Sequence, residues 1–144
     1  LVVDGEPVAG AVALPSRDLT LATDPAPPTP PAWGGPPRVL VSRSRPPIEA
    51  TWVAEALRGE LVPLGSAGAK AMAVVLGDAD VYVHNGGQYE WDSAAPVAVA
   101  QAAGLHASRL DGSPLVYNRP DPFLPDLLIC RADLAEQVIA AAAG

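Results

Sequence analysis

The 144-residue chain contains only one cysteine, Cys130. No disulfide can close within it, which suits a cytoplasmic protein. Cys130 lies in the apolar run LPDLLICRA, where a lone cysteine is more often a core residue than a nucleophile. Histidine is nearly as scarce. His84 and His106 are the only two, and neither belongs to an HxxxH or Cys/His cluster, so a zinc site is not expected. Basic residues are few as well, with 9 Lys and Arg against 16 Asp and Glu and a net charge of −7. That balance argues against the basic face of a nucleic-acid polymer binder, yet a few Arg and Lys suffice to hold one small phosphorylated ligand. No apolar run approaches the length of a membrane span, and no signal peptide is read. A GxSxG elbow and a GxxxxGK[ST] loop are both missing, so neither a serine hydrolase nor a P-loop enzyme is supported.

What is present suffices for one domain with a sizeable core, since 49% of the residues are hydrophobic. Leu1–Val3, a turn at Asp4-Gly5 and Pro7 to Leu14 read as a hairpin, and Leu19 to Ala22 as a further strand. Asp24 to Pro37, DPAPPTPPAWGGPP, is too rich in proline for helix or ladder and reads as an extended linker or surface loop. Trp33 within it either docks or stands exposed. Val39, Leu40 and Val41 form a continuous apolar strand, covered on both faces. Ser42-Arg43-Ser44-Arg45 follows at its C-terminal end, where open α/β sheets bind ligands. Its hydroxyls and guanidiniums suit a phosphate or a ribose, or else simply face solvent. Ile48 to Leu57 reads as a helix with Ile48, Trp52, Ala56 and Val53 turned inward, and Glu60 to Leu64 as the next strand.

The stretch from Gly65 to Gly104 organises the rest. Ser66 is a good N-cap for a helix over Ala67 to Leu76, closed by Gly77. The N–H groups near Gly65 and Ser66 make an anion site, with Lys70 one turn along on the same side. The alternative is a capped helix with a solvated lysine. Val81-Tyr82-Val83 is a strand and Asn85-Gly86-Gly87 a turn. A second helix spans Ser93 to Ala103, with Asp92 at the N-cap and Pro96 in the first turn. Asp92 is either a plain cap or an organiser of metal and phosphate. Further on, Leu105 to Ser108 is extended, Asp111-Gly112 turns back to Leu115-Val116, Leu127 to Cys130 is a last strand, and Ala132 to Ala143 a helix. The alternation predicts an α/β fold, a mixed and mostly parallel sheet flanked by helices.

GSAGAK, then GDADVYVH, then EWDSAAPVAVAQAAG resembles the C-terminal lobe of the Mg²⁺-dependent, Li⁺-sensitive phosphomonoesterases, the inositol monophosphatase and fructose-1,6-bisphosphatase superfamily. VLVSRSR resembles the 3′(2′),5′-bisphosphate nucleotidase branch, CysQ type. The resemblance implies hydrolysis of 3′-phosphoadenosine 5′-phosphate, a by-product of sulfate assimilation, with inositol-1-phosphate or fructose-1,6-bisphosphate as alternative substrates. A non-catalytic binding or regulatory module is the alternative of another class. By position, Asp92 matches the metal ligand of this lobe, the metal being Mg²⁺. Ser42 and Arg45 match the nucleotide-holding positions, where several relatives carry His in place of Arg45. Gly65, Ser66 and Lys70 match the substrate-cradling turn. His84 matches a basic position near the substrate, or is a structural histidine, as His106 is expected to be. The family's other motifs, a helical Glu and Asp-Pro-Leu-Asp-Gly-Thr, occur nowhere in this chain. Residues 1–23 therefore read as a β-hairpin tail of a missing N-terminal lobe, 24–37 as linker and 38–144 as the C-terminal lobe. The expected partners are that lobe, a small phosphomonoester and a second copy of the chain as a homodimer, with no nucleic-acid polymer and no membrane.

Overall fold

A computed structural model describes residues 1–144. Asp4 and Gly5 both take positive φ, 49° and 84°, the backbone of a primed two-residue turn. They join β1 (Val2–Val3) to β2 (Glu6–Pro7). The arm expected to run on to Leu14 breaks there. Gly10 passes so close to a helix that an added Cβ would lie 3.0 Å from the Ala95 Cα, and the chain leaves its first partner to make that crossing. A second hairpin then pairs β3 (Ala11–Leu14) with β4 (Leu19–Ala22).

The main sheet follows, with β5 (Arg38–Val41), helix α1 (Ile48–Leu57), β6 (Glu60–Pro63), α2 (Ala67–Val75), β7 (Val81–Tyr89), α3 (Glu90–Ala102), β8 (His106–Ser108), β9 (Phe123–Cys130) and α4 (Ala135–Ala142). Strand order is β6-β5-β7-β9-β8. The β5 pairings with β6 and β7 are parallel, whereas β9 runs antiparallel to both β7 and β8. The sheet is thus mixed and mostly parallel as expected, with four of its five strands running one way and β9 alone the other. Strand β9 returns through a long loop instead of a helical crossover, and so enters the sheet reversed.

Helices cover both faces. On one side Val39, Val41, Val81, Val83 and Leu128 pack under α1 and α4. On the other, Leu40, Tyr82, Leu127 and Ile129 pack under α2 and α3. Val12, Leu14 and Leu21 of the second hairpin lie over that helix pair as a further layer. The 24–37 stretch forms neither helix nor strand, and its Thr29 and Pro30 rest against Gly104 and Gly77 at the ends of α3 and α2. Trp33 donates from its indole to the Pro36 carbonyl (3.2 Å), and the Arg38 guanidinium lies 4.5 Å above its ring.

Three elements differ from expectation. Helix α1 buries Ala50, Val53, Ala54 and Leu57, while Ile48 and Trp52 stay exposed. Both stripes are apolar, and the small-residue stripe lets the helix come close to the sheet. Asn85-Gly86-Gly87 is no turn but a register shift inside β7, which continues to Tyr89. Finally, Asp111-Gly112 closes a tight loop held by the Arg109 and Ser113 backbone, and Leu115-Val116 pairs with no strand.

Candidate active site

Because β5, β6 and β7 are parallel, their C-terminal ends open along one edge of the sheet, the usual place for ligands in such folds. Every residue expected to bind lies at this edge. Ser42 and Arg45 follow β5, Gly65 and Ser66 follow β6, and His84 and Asp92 lie along and beyond the later part of β7.

Ser66 caps α2 as expected, its hydroxyl accepting from the Ala69 N–H (3.3 Å). It does so from a strained backbone, φ 67° and ψ 127°, a region costly for a residue with a side chain. Gly65 needs no glycine for packing, since an added Cβ there would meet nothing within 4 Å. Lys70 is not the solvated lysine of the simple alternative. It is 5% exposed, donates from Nζ to the Leu64 carbonyl (3.2 Å) and lies 5.2 Å from the centroid of the Tyr82 ring. Burial pulls its pKa down from the usual lysine value.

His84 meets the Gly87 carbonyl through Nε2 at 3.0 Å. A carbonyl only accepts, so Nε2 carries the proton and Nδ1 is left as the second group of the ring. His106 behaves as the structural histidine it was expected to be. Ser108 spends its proton on the Arg109 carbonyl (2.7 Å), so His106 Nε2 donates to the Ser108 oxygen (2.8 Å).

Asp92 is the third residue of α3 rather than its N-cap, because the helix begins at Glu90. Its Oδ2 still caps, accepting from the Tyr89 N–H (2.8 Å). The earlier start also moves Pro96 from the first turn into the helix interior, where its missing N–H leaves the Asp92 carbonyl without its usual helical donor. The other Asp92 oxygen has no protein donor, and the side chain is exposed, so a hard oxygen is available for a cation such as Mg²⁺. It is alone in this, for no three His, Cys, Asp or Glu side chains of the chain converge on one point. Neighbouring Glu90 is already engaged, accepting from the Asn118 and Arg119 N–H groups at 2.7 and 3.1 Å.

Tyr82 links two of the candidates, with Lys70 Nζ 5.2 Å from its ring centroid and the His84 ring edge-on to it at 6.4 Å. The Ser42 hydroxyl serves its own loop, accepting from the Arg45 N–H at 3.4 Å. The roomiest groove, about 510 Å³, lies elsewhere, between the prolines of 25–31 and Val75 and Leu76. It holds no titratable group, so the polar edge is the better candidate. Sequence reasoning read Tyr82 only as a strand former and passed over Gln88. The period-two alternation placing Tyr82 beside His84 on one face was the available signal.

Residues 39–143 match the model of the inositol monophosphatase family. The chain is 53% identical over 139 residues to a 3′-phosphoadenosine 5′-phosphate phosphatase of Mycobacterium leprae, covering 93% of this chain and 51% of that protein. It therefore spans about half the length of this curated relative. Among solved structures, CysQ from Bacteroides thetaiotaomicron is 30% identical with TM-score 0.59, over 72% of this chain and 40% of that one. An inositol monophosphatase from Zymomonas mobilis superposes with TM-score 0.76 at 19% identity, over 99% of this chain and 60% of its own.

Proposed function

This chain belongs to the inositol monophosphatase family, and on that premise we propose that it supplies the C-terminal lobe of a Mg²⁺-dependent 3′-phosphoadenosine 5′-phosphate phosphatase, releasing AMP and phosphate. The observation that carries the reading is one sheet edge shared by two helix N-termini of opposite use. The N-terminus of α2, with Ser66 and buried Lys70, suits a phosphate. The N-terminus of α3 presents the Asp92 carboxylate, which suits a cation. The nucleotide is preferred because the Mycobacterium leprae relative is named for it at 53% identity, whereas the likeness to the inositol monophosphatase at 19% bears on the fold alone.

In this reading the α2 N–H groups and Lys70 bind the phosphate, Gly65 lets the ligand approach the backbone, and Ser42 and Arg45 hold the nucleoside side. The His84 Nδ1 accepts from a ligand hydroxyl. Asp92 holds Mg²⁺, which when bound polarises the phosphate and lowers the pKa of a water. The remaining ligands and the general base belong to an N-terminal lobe, with 24–37 as the link to it. A cytoplasmic setting in sulfate assimilation goes with the proposal, and no helix is long and apolar enough to cross a membrane.

Asp92→Asn in the complete enzyme tests the reading. Asn keeps an oxygen for the Tyr89 N–H, so the metal-free melting temperature should hold. Phosphate release at ordinary Mg²⁺ should fall by about a hundredfold or more, as expected when a metal loses a charged ligand. Full activity in the variant would return Asp92 to a capping role.

A further inference from the structure

Tyr82 heads the fully buried side chains by volume, at 1% exposure, yet its hydroxyl has no hydrogen-bond partner among the protein's atoms. Such groups are rare in folded proteins because the lost hydration goes uncompensated. Two site residues lie against its ring. The Lys70 ammonium lies over the ring face at 5.2 Å, and the His84 ring meets it edge-on at 6.4 Å and 60°. Burial, and after it the charge of Asp92, push the phenol pKa up, so the hydroxyl is a donor.

A second orphan lies on the same face. Gln88 is 7% exposed and neither end of its amide has a partner. In the ladder Tyr82, His84 and Gln88 oppose Ile129, Leu127 and Leu124, all three of which belong to the core under α2 and α3. Two unspent polar groups thus flank His84, beside Lys70 and the start of α3.

We propose that Tyr82 is a positioning residue of the substrate site: its ring sets Lys70 and His84, and its hydroxyl gains a hydrogen bond only when a phosphate-bearing ligand is bound. The inference rests on the phosphatase reading above. It deepens that reading by giving the phosphate cradle a floor. A hydroxyl already satisfied in the free protein would favour tyrosine for stability. A hydroxyl reserved for the bound state favours tyrosine for turnover alone, and phenylalanine, which keeps the ring under Lys70, separates the two.

The experiment compares Tyr82→Phe with wild type in the complete enzyme, using a nucleoside 3′,5′-bisphosphate and Mg²⁺, with ligand-free melting measured alongside. We expect kcat/KM to fall about tenfold, chiefly through KM, with the melting temperature unchanged or raised. Unchanged kcat/KM overturns the proposal while leaving the phosphatase reading intact. A lowered melting temperature also overturns it, whatever the rate, because the hydroxyl was then already in use. A wild-type enzyme inert toward phosphomonoesters overturns the parent reading and this one with it.

Discussion

Asp80 is 1% exposed and holds three segments together. It accepts from the Arg38 N–H and Nε, both at 2.9 Å, and from Arg131 at 3.3 Å. These contacts tie the starts of β5 and β7 to the end of β9. Removing Asp80 leaves the Arg38 guanidinium without its counter-charge and takes one of two carboxylates from Arg131, so Asp80→Ala should cost about 3 kcal/mol in a denaturant titration. Burial works against the charged carboxylate, but the hydrogen bonds and charge of Arg38, helped by Arg131, outweigh it and hold its pKa below the ordinary 3.8. Burial and Arg109 act on Asp126 in the same way. A depressed carboxylate stabilises fully above its ordinary pKa and stops doing so as pH falls through the folded value. The melting temperature should therefore hold from neutrality to about pH 5 and drop below about pH 4, with a shallower drop in Asp80→Ala.

At the scale of elements, β7 decides how the site is assembled. Its register shift between Asn85 and Gln88 lets one strand carry His84, Gln88 and the start of α3 in succession. Two glycines with positive φ, 107° at Gly86 and 86° at Gly87, make the shift. They differ in surroundings. A Cβ on Gly86 meets open space, whereas one on Gly87 would lie 2.5 Å from a Phe123 ring carbon. Gly86→Ala should cost about 1 kcal/mol of backbone strain, and Gly87→Ala about 1 kcal/mol more as Phe123 is displaced. Gly87→Ala should also loosen the carbonyl that holds His84, so its activity in the complete enzyme should fall further than that of Gly86→Ala. Thermal melts and kinetics of the two variants side by side check both statements.

For the whole molecule, the proposed function makes this chain one edge of a site. Asp92, the metal ligand proposed above, has no converging group of His, Cys, Asp or Glu around it and cannot alone organise a phosphoryl-transfer centre. The 144-residue chain purified by itself should release no measurable phosphate from a nucleoside bisphosphate, with or without Mg²⁺. Robust Mg²⁺-dependent release from it would contradict the proposed division of labour between two lobes. Both of its cores are covered by the chain's own helices.

Much of this was legible along the chain because it depends on near neighbours. Val39-Leu40-Val41 must be covered on both faces, Ser66 can cap only the helix that follows it, and Gly77 and Gly104 end helices wherever those helices pack. The two small-residue helices with their polar starts were legible in the same way. What only the tertiary structure decided are matters settled by elements distant in sequence. Which stripe of α1 turns inward depends on the sheet that it meets, since both stripes are apolar. The reversal of β9 opposes Ile129 to Tyr82. The orphaned hydroxyl of Tyr82 belongs here too, for no local pattern records the partner that a buried group fails to find.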